Sequence, residues 1–579
     1  MMDPYFEYFV YVALLIALAI PLSGYINAVM SGTPTFLSRV LVPVERAVYK
    51  ILGVQADESM GWKRYLSSVL MFSLVSLVVL TALLLLQMIF PFNPQGLPGM
   101  PLDLAFNTAA SFVSNTNWQA YSGEVTLSYF SQAIGLAVQN FVTPAVGLAV
   151  LFVVFRGLVS QGETGLGSFW VDVVRALLYI LIPLCLVTSI FYVSQGVPQN
   201  VSEYQTVDLV EPIALPDGSQ VTQQSIPMGP QASQVAIKQL GTNGGGYNGT
   251  NSASPLENPT PLTNLIQCLS LLLLPVSLVF SFGRYVADRK QGRAIFATMF
   301  ILLLVALFAV AFFEQAATPQ LAQNSAVYMG QAGQSGGNME GKETRFGVTD
   351  SALWATFTTA ASNGSVNSMH DSFTPLGGMV PLILMQLGEV VFGGVGCGLY
   401  SMLGFVILTV FIAGLMVGRT PEYLGKKIGP AEMRMAVILC ITTPVVVLLG
   451  ATVLCLNPAT VESLGNPGIH GFSEVLYAAT SAGANNGSAF AGLNADTPFI
   501  NTVLGVMMLA NRFIPVAAAC VLAGGLCQRP RVAVSVGTLS TTNAVFVFLL
   551  ILIVVLVGAL TMFPALALGP IAEQLQMVL

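Results

Sequence analysis

Ten stretches of roughly twenty apolar residues constrain this chain more than any other feature: 8–28, 66–90, 132–155, 176–195, 262–282, 294–313, 381–417, 435–456, 499–527 and 533–568. About 20 apolar residues in a helix cross the hydrocarbon core of a bilayer. Only 8% of the 579 residues are charged and 54% are apolar, whereas soluble domains carry about 25% charged residues. The chain therefore reads as an all-α polytopic membrane protein lying in a lipid bilayer. With no basic stripe in the sequence, nucleic acid is not a partner. The first 25 residues hold acids but no basic leader, so they read as a first span and not as a cleaved signal.

The seventh and tenth windows are longer than one crossing requires. Within the seventh lies "GEVVFGGVGCG" (388–398), with Glu389 inside it. Irregular backbone persists in a membrane only where it is buried in protein or lines a cavity, so a broken or bent helix is expected there. Connections 29–65, 156–175, 283–293, 418–434 and 528–532 hold 17 of the 21 Lys and Arg residues, and they alternate along the chain. The positive-inside rule places them in the cytoplasm and puts both termini and the long Gly/Asn/Ser-rich loops outside. Lys238, Lys342, Arg345 and Arg512 are the exceptions.

Four of the outer connections share one pattern. They are "LAFNTAASFVSNTNWQAY" (104–121), "VAIKQLGTNGGGYNGT" (235–250), "LWATFTTAASNGSVNS" (353–368) and "EVLYAATSAGANNGSAF" (474–490). Each starts as a short, mildly apolar helix and breaks into Asn with Gly or Thr. Aligning Asn117, Gly244, Gly364 and Gly487 gives spacings of 127, 120 and 123 residues. The unit is span, re-entrant helix and loop, span. The chain divides into an N-terminal span and loop (1–65), repeats at 66–160, 170–290, 291–430 and 431–530, and a C-terminal span (531–579). Asp103, Ser233, Asp350 or Ser351, and Ser473 are the expected N-caps of the short helices. The negative C-terminal end of such a helix, directed at the membrane centre, favours a cation, and the loop beyond it can offer carbonyl oxygens in place of a hydration shell. Without carboxylates in the loop cores, a divalent ion is disfavoured, and a weakly hydrated monovalent cation fits better.

The stretches "SNTNWQAYSGE", "TNGGGYN", "SASPLENPTPLTN", "GNMEGKETRFG", "TTAASNGSVNSMHDSFTPLGG", "ANNGSAFAGLNADTPF" and "GRTPEYLGKKI" span most of the chain. In these the chain resembles the A-subunit family of the bacterial Kdp potassium-transporting ATPase. The resemblance implies the superfamily-of-potassium-transporters fold, with four membrane-pore-membrane repeats around a pseudo-fourfold axis. It implies potassium as substrate, residence in the bacterial plasma membrane, and assembly with a P-type ATPase subunit, a C subunit and a very small F subunit. Carried over residue by residue, the potassium filter comprises Asn115, Thr116 and Asn117; Thr242, Asn243 and Gly244; Ser362, Asn363 and Gly364; and Asn485, Asn486 and Gly487. Gln119 sits beside the first strand and tunes affinity. Asn363 stands where family members have Cys, and Ala484 where a third Asn is usual.

Other residues weigh less. "GGNMEGKE" (336–343) has P-loop spacing, but Glu343 replaces the required Ser or Thr. The phosphorylation motif DKTGT is absent from the sequence, so the chain is expected not to be an enzyme and any ATP would be used by the partner subunit. Glu389 and Arg512 fall inside predicted spans, where charge is costly. They read either as a buried pair bracing two helices or as groups on the ion route, with Arg512 blocking straight-through permeation and Glu389 drawing the cation sideways into a tunnel. Arg419, Lys426 and Lys427 read as topology or lipid anchors. Seven scattered cysteines read as small core hydrophobes, and His370 and His470 as isolated loop residues without metal-ligand spacing, so no transition-metal site is expected. Two transport readings stay open: a pump subunit, and an autonomous channel or ion-coupled transporter of the same superfamily. A membrane-embedded enzyme finds little support, since Glu389 has no catalytic company.

Overall fold

A computed structural model describes residues 4–162, 165–316, 318, 336–416, 418–532 and 539–578. Ten helices in it are long and apolar enough to cross a membrane. In chain order the main elements are α1 (Pro4–Met30), α2 (Ser38–Leu52), α3 (Trp62–Leu85), α4 (Leu102–Val113), α5 (Ser131–Val159) and α6 (Phe169–Ser194). A hairpin, β1 (Gln205–Ala214) and β2 (Gln220–Ile226), precedes α7 (Gln231–Leu240), α8 (Pro261–Tyr285), α9 (Arg289–Gln315) and α10 (Gly347–Ala360). Next come α11 (Pro375–Gln386), α12 (Cys397–Met416), the two-residue strands β3 (Glu422–Tyr423) and β4 (Lys426–Lys427), and α13 (Pro430–Cys455). The chain closes with α14 (Ile469–Gly483), α15 (Pro498–Gln528) and α16 (Ala544–Val578). Residues 533–538, where the tenth window begins, lie outside the described part.

Half-helices α4, α7, α10 and α14 each stand between two spans, giving four units of one design. Three second spans begin with one device. Thr260, Thr374 and Thr497 each precede a proline at the first helical position, and each hydroxyl accepts from a backbone N–H three residues on, at 3.2, 3.2 and 3.3 Å. A cap of this kind contributes about 1 kcal/mol, and proline there forfeits no helical hydrogen bond. The first unit differs, since α5 enters through a π turn, Ser131–Leu136. Burial separates centre from rim: 83% of the apolar window of α5 and 78% of that of α8 are buried, against 28% for α1 and 22% for α3. Outward faces such as Met71, Val78 and Leu560 are exposed hydrocarbon, as expected of lipid-facing helices.

The sequence expectations meet four corrections here. None of the expected N-caps caps its helix: each half-helix starts earlier, after Pro101, Pro230, Phe346 or Gly468, with no side-chain cap bond. Asp103 instead accepts from Asn501 Nδ2 at 2.9 Å, and Asp350 from the Tyr11 hydroxyl at 3.3 Å. Tertiary partners, not local capping, claim these carboxylates. Lys426 is no lipid anchor. It is buried, and its ammonium donates to the carbonyls of Ser160, Leu526 and Arg529 at 2.5, 3.0 and 2.6 Å, stapling the ends of α5 and α15 as cations do at helix C-termini. The helical design also carries β1 and β2, a solvent-exposed antiparallel pair turned at Asp217–Gly218, which a search for apolar windows passes over. Finally, Cys455 is exposed, while the other six cysteines are buried as expected.

The seventh window is broken, as "GEVVFGGVGCG" predicts. Helix α11 stops at Gln386 and α12 begins at Cys397; between them Gly388, Glu389, Phe392, Gly393 and Gly396 all have positive φ. The loop is pinned from above, with Val395 N–H donating to Thr242 Oγ1 at 2.9 Å and Gly393 N–H to Ala360 O at 2.9 Å.

Candidate functional site

Where each half-helix ends, the chain makes the same manoeuvre. The first residues of the four strands, Asn115, Thr242, Ser362 and Asn485, have φ between 49° and 66°. The third residues, Asn117, Gly244, Gly364 and Gly487, have φ between 53° and 109°. Left-handed φ in a β-branched residue such as Thr242 is strained, and here the bond from Val395 holds it. The second residue of each strand, Thr116, Asn243, Asn363 or Asn486, donates its N–H to the carbonyl five residues earlier, of Ser111, Lys238, Thr358 or Ser481, at 2.9 Å in all four. The third residue's N–H also turns back, to Ser111 O and Lys238 O at 3.2 and 3.0 Å, and to the hydroxyls of Thr358 and Ser481, both at 3.0 Å. The amides are thus tethered to the half-helix ends. Among the described residues no donor meets the carbonyl oxygen of the second or third residue of any strand.

The strands close into a ring. Asn115 Nδ2 donates to Thr242 O at 2.9 Å, Asn363 Nδ2 to Lys238 O at 3.0 Å, Ser362 Oγ to Asn485 O at 3.2 Å, and Asn485 Nδ2 to Thr116 Oγ1 at 2.9 Å. Backbone proximity follows the same order. A Cβ on Gly244 would overlap the Asn363 carbonyl, one on Gly364 the Asn486 carbonyl, and one on Gly487 the Thr116 carbonyl. Glycine is required at these corners because the neighbouring strand occupies the place of a side chain. At the remaining corner Asn117 keeps its side chain, buried with neither amide atom bonded. Gln119 Oε1 accepts from Gly246 N–H at 2.9 Å and so ties the first strand to the second. All four half-helix C-termini meet this ring, with their partial negative charge.

Both departures from the family pattern lie in the ring's bracing. The Asn363 side chain bonds Lys238 O and accepts from Ser365 N–H at 2.8 Å. Asn486 does the same one unit on, bonding Thr358 O at 3.1 Å and Ser488 N–H at 3.0 Å. Ala484 caps α14, and its carbonyl accepts from Ser362 Oγ at 3.0 Å.

Above the ring opens a cavity of about 450 Å³, lined by Asn117, Gln119, Gly364, Gly487, His370 and Lys342 among others. Its cations are neutralised. Lys342 pairs with Glu314 at 2.6 Å and lies 4.2 Å from the Phe373 ring centroid. Burial, with Lys342 nearby, pushes the His370 pKa down to about 3, leaving a neutral imidazole whose Nδ1 meets the Tyr477 hydroxyl at 2.8 Å. Behind the second strand Lys238 is paired with Glu257 and donates to Asn251 Oδ1 at 2.6 Å. Arg345 pairs with Glu343 at 3.3 Å. Glu343, the residue that broke the P-loop pattern, also lines the cavity.

Beneath the ring Glu389 and Arg512 line one small cavity with Asn485, Asn511, Thr443 and Tyr400. They do not form the mutual ion pair weighed from sequence; Arg512 Nη1 lies 2.7 Å from Cys397 Sγ. Asn511 Nδ2 donates to Asn485 Oδ1 at 3.2 Å, bracing the fourth strand. The sequence assigns no role at the ring to Lys238, Glu257 or Asn511, nor to Thr143, whose hydroxyl donates to Asn115 Oδ1 at 2.6 Å. A usable signal existed for the tethers alone: Thr358 and Ser481 both stand six residues before the glycine they hold.

These elements define a class: a polytopic membrane protein whose four span–half-helix–span units close around one ring of backbone carbonyls. Residues 9–575 match the family model described as Potassium-transporting ATPase A subunit. The potassium-transporting ATPase potassium-binding subunit of Desulfovibrio desulfuricans is 62% identical over 571 residues, 98% of each chain. That of Clostridium botulinum is 59% identical over 578 residues, the full length of both, and that of Listeria monocytogenes 57% identical over 563 residues, 97% of both. The crystal structure of the potassium transporter TrkH from Vibrio parahaemolyticus shares the fold, with a TM-score of 0.50 at 15% identity over 78% of this chain and 84% of its own. The chain belongs to the potassium-transporting ATPase A-subunit family.

Proposed function

We propose that this chain is the potassium-binding and translocating subunit of an ATP-driven, high-affinity uptake complex in a bacterial plasma membrane, with both termini and the ring's mouth outside. The observation that carries the reading is the ring of second- and third-residue carbonyls without a protein donor. Buried backbone carbonyls are nearly always paired, and a dehydrated monovalent cation is the partner such a ring suits. Asn115–Asn117, Thr242–Gly244, Ser362–Gly364 and Asn485–Gly487 are the filter strands, and Gln119 tunes affinity by fixing the first strand to the second. Neutralised cations around the 450 Å³ vestibule leave it open to a positive ion.

Below the filter, Arg512 bars direct passage to the cytoplasm and Glu389 draws the ion sideways, through an intramembrane tunnel, to a P-type ATPase subunit. That partner uses the ATP, and a C subunit and a small F subunit complete the complex. The repeats 66–160, 170–290, 291–430 and 431–530 supply one filter strand each.

The purified complex is expected to hydrolyse ATP only when potassium is supplied; hydrolysis indifferent to potassium at every concentration would overturn the reading. If the chain alone carries rubidium down its gradient in liposomes, it is instead an autonomous channel. Arg512→Ala is expected to leave the potassium needed for half-maximal ATP hydrolysis unchanged, within about twofold, because the mutated residue does not touch the ring carbonyls. It is expected to let potassium leak through the complex without ATP, since the loss removes a full buried charge from the route. An unaltered ratio of ion moved to ATP used, with no leak, would remove Arg512 from the gate.

A further inference from the structure

His470, isolated in sequence, is surrounded by carboxylates in the fold. It lies in the first turns of α14; its Nε2 meets Asp371 Oδ1 at 3.1 Å and its Nδ1 meets Glu573 Oε1 of α16 at 2.7 Å. One turn along α14, the Glu474 carboxyl is buried: Oε1 accepts from Asn466 Nδ2 at 2.8 Å, and Oε2 has no hydrogen-bond partner. One donor atom each from Asp371, His470 and Glu474 fall within 4.8 Å of one another. Gly492 forms the wall: a Cβ there would overlap Glu474 Oε1 and come within 2.7 Å of Asp371 Oδ2. Among the described residues no lysine or arginine pairs with Asp371, Glu474 or Glu573, so three carboxylates face one imidazole.

We propose that Asp371, His470 and Glu474 form a binding site for a divalent transition-metal ion of the zinc class, beside the vestibule and apart from the filter. One imidazole nitrogen and two carboxylate oxygens are a ligand set that zinc accepts, with a fourth position left to water. Calcium and magnesium, which take six or more oxygens, are poorly served. Zinc bonds of 2.0–2.2 Å put tetrahedral donors about 3.4 Å apart, so binding draws the three side chains together and replaces the proton on Nε2. Glu573 then has the orienting role usual for a carboxylate on the far nitrogen of a metal-bound histidine, and its own second oxygen accepts from Ser473 Oγ at 3.2 Å. The ion would tie the loop after the third filter strand to the fourth half-helix.

Cobalt(II) titrated into the chelator-stripped complex tests this by its visible absorption. One saturable equivalent per chain is expected, displaced by zinc and not by magnesium. Glu474→Gln and Asp371→Asn, each keeping the shape of the site, are expected to weaken cobalt binding at least tenfold, and Glu573→Gln by about tenfold. Potassium-stimulated ATP hydrolysis, unchanged in all three, certifies a folded complex. Displacement of cobalt by magnesium would overturn the zinc class. The absence of a saturable equivalent, or unchanged binding in both Glu474→Gln and Asp371→Asn, would overturn the site.

Discussion

A Gly364→Asp complex is expected to need about 100-fold more potassium for half-maximal ATP hydrolysis, at unchanged protein yield, since a loss of about 3 kcal/mol in binding corresponds to that factor. The source of the loss is local. Gly364 has φ +92°, and a Cβ there overlaps the Asn486 carbonyl of the adjoining strand. Holding a non-glycine residue in such a conformation costs about 1–3 kcal/mol, and relieving the overlap moves a ring carbonyl. Gly364→Ala separates the terms: it keeps the Cβ overlap and lacks the rest of the Asp side chain, so it should raise half-saturation less than Asp does. Gly244, packed against the Asn363 carbonyl, should behave alike. Half-saturation unchanged in both Asp variants, with the partner subunits still co-purifying, would take these residues out of the filter.

Glu257→Gln should cost still more, and in a different currency. Lys238 and Glu257 are fully buried partners, and removing one member of a buried pair typically costs about 3–5 kcal/mol because the other charge is left unpaired. Lys238 is also the keystone of the ring's second corner. Its carbonyl takes the N–H groups of Asn243 and Gly244 and the Asn363 amide, while Glu257 Oε1 takes the Asn248 N–H at 2.8 Å. Glu257→Gln should therefore lower the thermal stability of the complex sharply and reduce its yield. The double variant Lys238→Met, Glu257→Gln removes both charges and should recover much of that stability, while half-saturation by potassium is raised because the Lys238 bond to Asn251 is lost. Equal melting temperatures for Glu257→Gln and the parent would show that the pair does not support the ring.

Much of this architecture follows from local chemistry. Transfer of apolar side chains out of water is nearly independent of context, so the ten spans are visible as hydropathy, and the break at 388–398 is visible as a cluster of glycines around Glu389. The four loops betray themselves because left-handed backbone favours Gly and Asn, even though Thr242 and Ser362 also adopt it, and their recurrence at 120–127 residues discloses the repeat. The expected N-caps failed for the complementary reason. In sequence Asp103 and Asp350 stand where they would serve their own helix ends, but in the fold they are held by Asn501 and Tyr11, far along the chain.

What the sequence alone determined, then, is the set of parts: ten apolar helices, a chain broken inside the seventh window, and four neutral, glycine- and asparagine-rich turns. Only the tertiary structure decided how they close. Asn363 bonds a carbonyl 125 residues away, Asn485 a hydroxyl 369 residues away, and His470 a carboxylate 99 residues away. The physical reason is that hydropathy and backbone preference act on neighbours in sequence, whereas a hydrogen bond or ion pair acts between neighbours in space. No periodicity records that Lys238 will find Glu257, or that Arg512 will meet Cys397 and not Glu389; packing four units around one ring brings each pair together.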